Sequence, residues 1–243
     1  MRLLSYEDAS GPAAGVLVEE EVVAVRTLGG PAQSVRGLLE ALDADGLAEL
    51  GRRALAAHER MPVAELRLLA PVPDPQKIIC LGLNYRDHAA ETGQEPPASP
   101  MWFAKFANSL IGSGAEILLP PAHPDHVDYE AELAVVIGRI THRVDAASAL
   151  EHVAGAMPFN DVSARDLQFQ NPLWTSGKAL DTFAPCGPAL VTLEEVGDLG
   201  GLGLRTRING ELVQEGNTRE LIFDVGETVA WLSRTMTLLP GDI

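Results

Sequence analysis

Between Asp128 and Gly138 the chain reads Asp128-Tyr129-Glu130-Ala131-Glu132-Leu133-Ala134-Val135-Val136-Ile137-Gly138. A strand projects alternate side chains from one face, so Asp128, Glu130 and Glu132 are expected on the same side. Like charges placed that way destabilise a sheet unless positive charge sits among them. The run then turns wholly apolar, so the acidic patch must adjoin a buried strand. A divalent cation is the economical source of the missing charge.

Other segments fill in the architecture. Val16-Leu17-Val18 and Val22-Val23-Ala24-Val25 flank Glu19-Glu20-Glu21 and predict a hairpin. Ser34 is placed to cap a helix carrying Val35, Leu38, Leu39 and Leu42, and Asp45 a second one with Leu47, Leu50, Ala54 and Leu55 inward. Three prolines in Pro71-Val72-Pro73-Asp74-Pro75 predict an extended connector. The expected division is therefore a small N-terminal α/β accessory domain, 1–70, and a larger catalytic domain, 71–243. In the latter, strands are predicted at 77–83, 101–106, 133–137 and 189–192, with a hairpin turning at Asn209-Gly210. Asp224 and Glu227 resemble the capping pair of a helix with Val229, Leu232 and Met236. Helix and strand mix without βαβ regularity, which indicates an α+β, β-rich fold.

Charge and cysteine content limit the partners. The 34 acidic residues against 18 basic ones give a formal charge of −16, which argues against nucleic acid and against anionic membranes. The first eight residues meet acids where the apolar core of a secretory signal should begin, and no apolar run is long enough to span a bilayer. Cys80 and Cys186 lie far apart in apolar contexts, so two free thiols and a reducing cytoplasm are expected.

Three further constellations carry chemistry. If a helix begins at Asp161, then Asp161, Arg165 and Gln168 share a face able to hold a metal and grip an anion. Taken alone, that spacing fits better an N-terminal Asp favouring the helix dipole plus a surface ion pair. His88 and Glu91, three apart after a strand, can form a base oriented by a carboxylate. Lys178 follows a glycine and can enter a site from a loop. His123 and His126 lack further ligands at zinc spacing and read as loop residues, with His58, His142 and His152 at the surface.

In order along the chain, Asn84-Tyr85-x-x-His88-x-x-Glu91, Asp128-Tyr129-Glu130-x-Glu132-Leu133, Asn160-Asp161-x-Ser163-Ala164-Arg165-Asp166-x-Gln168 and Lys178-x-x-Asp181-Thr182-Phe183-x-Pro185 resemble the fumarylacetoacetate hydrolase family. The likeness runs from about residue 71 to the last, and the N-terminal segment is similar to the small preceding domain of bacterial members. The resemblance implies a β-rich, mixed barrel-like roll, a homodimer, and Mg²⁺ or a similar hard cation (Mn²⁺, Ca²⁺). It implies Glu130, Glu132 and Asp161 as metal ligands, and His88 with Glu91 as a water-activating dyad. Lys178 and Gln168 would contact substrate oxygens, Lys178 also holding an oxyanion, with Arg165 and Tyr85 close by. The implied activity is cleavage of a C–C bond in an acylpyruvate- or fumarylpyruvate-type keto acid. The alternatives are isomerisation or decarboxylation of a 2-keto diacid of the hydroxyheptadienedioate or oxaloacetate type, and a metal-binding homologue without catalysis. Two departures stand out: the family's Thr-Gly-Thr-Pro turn and later strands lie beyond Ile243, and Lys105-Phe106 stands where Lys-Pro is typical.

Overall fold

Alternating apolar residues at the N-terminus build the first half of a large sheet. In the computed structural model, which describes residues 1–243, strands Arg2–Asp8, Gly11–Val18 and Glu21–Ala24 form an antiparallel meander. The expected hairpin is present, with Val18 opposite Glu21 across the turn. Helix Val35–Ala41 follows, its Ser34 hydroxyl accepting from Gly37 N–H at 3.1 Å. Helix Ala44–Ala56 is capped by Asp43, whose carboxylate takes the Gly46 N–H at 2.9 Å. Asp45 lies in the first turn instead, where it favours the helix dipole without capping. Leu47, Leu50 and Ala54 face inward as expected, but Leu55 is exposed, because the residue after Ala54 is rotated about 100° off the buried stripe.

The sheet does not stop at the proline-rich connector. Arg2 and Leu3 pair with Val191 and Leu190, in strand Leu190–Thr192. That strand pairs with Val153–Asn160, which pairs in turn with Ala131–Ile137. The result is an eight-stranded sheet drawing on both sides of residue 70. One cluster of 22 buried residues spans it, with Leu3, Val23 and Leu38 packed together with Val136, Met157 and Leu190. Residues 1–70 therefore share sheet and core with the rest of the chain and do not form a separate accessory layer.

The mixed α+β character holds, while the barrel-like roll does not: no closed barrel forms. Strands Ile78–Gly82 and Met101–Lys105 make a separate hairpin, as do Gly203–Ile208 and Glu211–Asn217 around Asn209-Gly210. Backbone bonds at the end of the chain link the first hairpin to the large sheet. Ile79 N–H donates to the Ile243 carbonyl and Ile137 N–H to that of Asp242, both at 2.9 Å. Helix Val225–Ser233 starts with the reciprocal Asp224–Glu227 capping box and buries Val229 and Leu232 against Ile137 and Val153. No helix is long and apolar enough to cross a membrane.

Candidate functional site

The strand expected through 128–138 is broken at Tyr129 and Glu130. Val127–Asp128 pairs with Ser163–Ala164, and the long strand starts only at Ala131. The break is held by reciprocal contacts with the next stretch. Glu130 N–H donates to Asn160 Oδ1 at 3.0 Å, and Asp161 N–H donates to the Glu130 carbonyl at 2.9 Å. Two distant segments are thereby locked side by side, and their carboxylates converge on Lys178 Nζ, 2.6 Å from Glu130 Oε2 and 3.0 Å from Asp161 Oδ2.

The protein supplies more positive charge than the sequence reading allowed. Lys105 is buried and donates to Asp161 Oδ1 at 2.7 Å and to the Val162 carbonyl at 3.0 Å. Burial lowers its pKa, with Asp161 working the other way. Arg165 spans Asp128 Oδ2 (2.8 Å from Nη2), Glu130 Oε1 (2.6 Å from Nη1) and Gln168 Oε1 (3.0 Å from Nη1). Burial opposes its charge, but Glu130 and Asp128 outweigh that and raise its pKa. The helix here runs Arg165–Phe169, so Arg165 and Gln168 share a turn as expected. Asp161 lies before the helix, not on its face, and its carboxylate turns to Lys105 and Lys178 instead. The chain's own cations thus supply much of the charge that the acidic alternation demands.

Glu132 stands apart from this network. Glu130 and Asp161 are neutralised at hydrogen-bond distance, whereas Glu132 forms no salt bridge and meets only the Tyr85 phenol. Burial, then the neighbouring charges of Glu130 and Asp161, push its carboxyl up to about 8. The Tyr85 phenol is likewise raised by burial and by Glu132, so it stays a neutral donor. Glu132, Asp161, Tyr85 and Cys80 line one largely apolar cavity of about 140 Å³ between Ile78–Gly82, Ala131–Ile137 and Val225–Ser233. Glu132 is therefore enclosed by protein while part of its surface faces the cavity, and Cys80 beside it is a free thiol raised by burial. Glu132 and Asp161 offer hard oxygen donors at the cavity wall, but Lys178 takes the Glu130 and Asp161 oxygens, and no group of three His, Cys, Asp or Glu side chains is placed to hold a metal ion in this arrangement.

His88 and Glu91 do not join this cluster. Helix Arg86–Glu91 carries both, but the ring and carboxylate are exposed and 3.9 Å apart, beyond hydrogen-bond reach. The turn before it is fixed, Asn84 exchanging two hydrogen bonds with the Phe223 backbone. His123, read as a loop residue, makes a close pair with the Asp166 carboxylate. Asp128, expected beside Glu130 and Glu132, holds Arg165, and Lys105 is the member of the network to which sequence reasoning gave no role in the site. The signal for Lys105 was present: Phe103 and Lys105 share a strand face, and a lysine beside a buried phenylalanine must find a counter-ion.

Known proteins resemble this chain in sequence and in fold. The family model described as fumarylacetoacetate (FAA) hydrolase C-terminal matches residues 77–243. The human mitochondrial oxaloacetate tautomerase FAHD2A is 45% identical over 197 residues, covering 80% of this chain, which spans 62% of that relative's length. Among solved structures, 2-hydroxyhepta-2,4-diene-1,7-dioate isomerase from Mycobacterium marinum is 35% identical with a TM-score of 0.76, covering all of this chain and 84% of its own. Maleylpyruvate hydrolase from Sphingobium sp. SYK-6, solved with manganese(II) and pyruvate, is 32% identical with a TM-score of 0.82, covering all of this chain and 86% of its own.

Proposed function

We propose, from the premise that this chain belongs to the fumarylacetoacetate hydrolase family, that it catalyses divalent-metal-dependent keto–enol isomerisation of a 2-oxo acid of the oxaloacetate class. The observation that carries this reading is the convergence of Glu130 and Asp161 on Lys178 beside Glu132, while the His88–Glu91 pair is exposed and not hydrogen-bonded. Enolisation needs a stabilised C2 oxygen and a mobile C3 proton, whereas C–C hydrolysis also needs an activated water. The oxaloacetate tautomerase named above, and the isomerase among the solved structures, lend support to the same choice.

Glu130, Glu132 and Asp161 would hold the ion. When bound, Mg²⁺ or Mn²⁺ would supply Lewis acidity to two oxygens of a chelating 2-oxo acid. Lys178 presents a buried ammonium at the same carboxylates and can donate to the oxygen that gains charge as the C3 proton passes to water. Losing one such donor costs roughly 10²–10³-fold in kcat, the fall expected for Lys178→Met. Arg165, which also donates to Gln168 Oε1, holds Glu130 from the other side, and Tyr85 keeps a neutral hydroxyl beside Glu132. The two free thiols support a reducing compartment. Pairing of two chains is carried over from the family resemblance, and sedimentation reads it directly.

Hydrolysis of acylpyruvates is the second reading, favoured by the His88-x-x-Glu91 pair and by the hydrolase solved with manganese and pyruvate. The test offers oxaloacetate and an acylpyruvate with Mg²⁺ or Mn²⁺, following enol–keto conversion, CO₂ release and C–C cleavage together. Isomerisation should dominate and survive His88→Ala. A water-activating base is worth about 10²–10⁴-fold, so cleavage that dominates and falls by that factor in His88→Ala overturns the proposal.

A further inference from the structure

Lysine is scarce in this chain: Lys77, Lys105 and Lys178 are three of 18 basic residues. Lys178 ends a four-residue helix, Thr175–Lys178, too short to fix its own geometry through internal hydrogen bonds. Something outside the helix must hold the ammonium between Glu130 and Asp161.

The surroundings of that helix supply a wedge on one side and a stop on the other. Trp174, immediately before the helix, lies edge-on to Phe103 with ring centroids 5.6 Å apart and planes at 68°. The Phe103 face in turn carries the Lys178 ammonium, 5.1 Å from its centroid. The indole fits there only because residue 82 is glycine: a Cβ on Gly82 would sit 2.8 Å from Trp174 Cη2 and closer still to Cζ3. Thr175 Oγ1 ties the helix to the same hairpin, donating to the Ala104 carbonyl at 3.2 Å. On the opposite side, a Cβ on Gly177 would meet the Ala164 carbonyl oxygen at 2.6 Å, so the helix is pressed against the segment bearing Arg165 and Gln168.

Trp174 belongs to none of the buried apolar clusters and is itself part-exposed, so filling a core does not account for it. We propose that Trp174 is a positioning residue: seated in the notch at Gly82 and against Phe103, it sets where Lys178 Nζ stands over Glu130 and Asp161. The catalytic consequence rests on the function proposed above; the placement of Lys178 does not.

The test uses the full chain and reads the lysines directly. Native, chelator-treated protein is methylated with formaldehyde and a borane, and each lysine is quantified by peptide mass mapping. In the parent, part-exposed Lys77 is modified while buried Lys105 and Lys178 resist. In Trp174→Ala, Lys178 should become reactive while Lys105 stays protected, and Trp174→Phe should restore protection. A displacement near 1 Å costs about 10²-fold, so kcat of Trp174→Ala should fall by that factor with KM little changed. Gly82→Ala should act in the same direction, and the double variant should be no worse than Trp174→Ala, because the ring it strikes is gone. Continued protection of Lys178 in Trp174→Ala, equal exposure of Lys105, or fully additive effects of the two substitutions would each overturn the proposal. An inactive parent that keeps the labelling pattern would count against the proposed function alone.

Discussion

Asp161→Asn isolates the electrostatic logic of this site. Asp161 is 3% exposed, and its two oxygens separately take Lys105 and Lys178. After the substitution Lys178 keeps Glu130 at 2.6 Å, but Lys105 loses its anionic partner and is left with neutral acceptors, the Val162 carbonyl among them. Breaking a buried pair by removing one partner costs about 3–5 kcal/mol. Lys105 has one escape, to shed its proton. From a reference pKa of about 10.4, neutralising it at pH 7 costs about 4.6 kcal/mol, at 1.36 kcal/mol per unit, so that is the ceiling. The predicted loss at pH 7 is therefore about 3–4.6 kcal/mol, read by urea unfolding with a chelator present so that no ion intervenes. The pH dependence has a definite sign. With Lys105 neutral in the folded variant and protonated when unfolded, the unfolded state binds more protons, so stability rises with pH. The deficit should narrow by up to about 1.4 kcal/mol per unit between pH 7 and 9. A variant within about 1 kcal/mol of the parent at pH 7, or a deficit that widens with pH, would refute the assignment of Asp161 as sole counter-ion to Lys105.

Two further outcomes follow from the same surroundings. Glu132 titrates near 8, so at pH 7 its carboxyl is mostly protonated and Mn²⁺ binding should release close to one proton per ion, fading to none above about pH 9. Calorimetry in buffers of different ionisation enthalpy measures this, and pH-independent binding without proton release would rule out Glu132 as a ligand. Burial holds both thiols in the unreactive form, Cys186 at about 12 and Cys80 well above its usual range, so neither should react with a disulfide reagent at pH 8 until the chain unfolds.

The sequence carried the local pieces of this protein further than their assembly. Ser34, the Asp224–Glu227 box and Asn209-Gly210 are short-range signals whose physics is complete within four residues, and each appears where the pattern placed it. The large sheet is another matter. Its continuity depends on Leu3 meeting Leu190 and on Gly155 meeting Thr192, pairings between strands far apart in the chain that no local window contains. Val153–Asn160 was missed for a related reason: with Ala154, Gly155, Ala156 and Pro158 it has little intrinsic strand preference, and burial between two neighbours makes it a strand.

The candidate site divides along the same line. Acidic alternation can be read from residues 128–132, but the cations paired with those acids come from two separate later elements, the helices bearing Arg165 and Lys178. Counting charges after assembly alters what the alternation means. Asp128, Glu130, Glu132 and Asp161 bring four negative charges; Lys105, Arg165 and Lys178 return three. Most of the repulsion that first suggested a metal is therefore relieved by the chain itself, and the remaining imbalance falls on Glu132. A cation here need not offset a bare acidic cluster. On the proposed reading it would displace one proton from Glu132 and share Glu130 and Asp161 with Lys178, whose ammonium already sits on both carboxylates. That sharing ties ion binding and enolate stabilisation to a single lysine, whose placement matters more to the chemistry than the number of carboxylates around it.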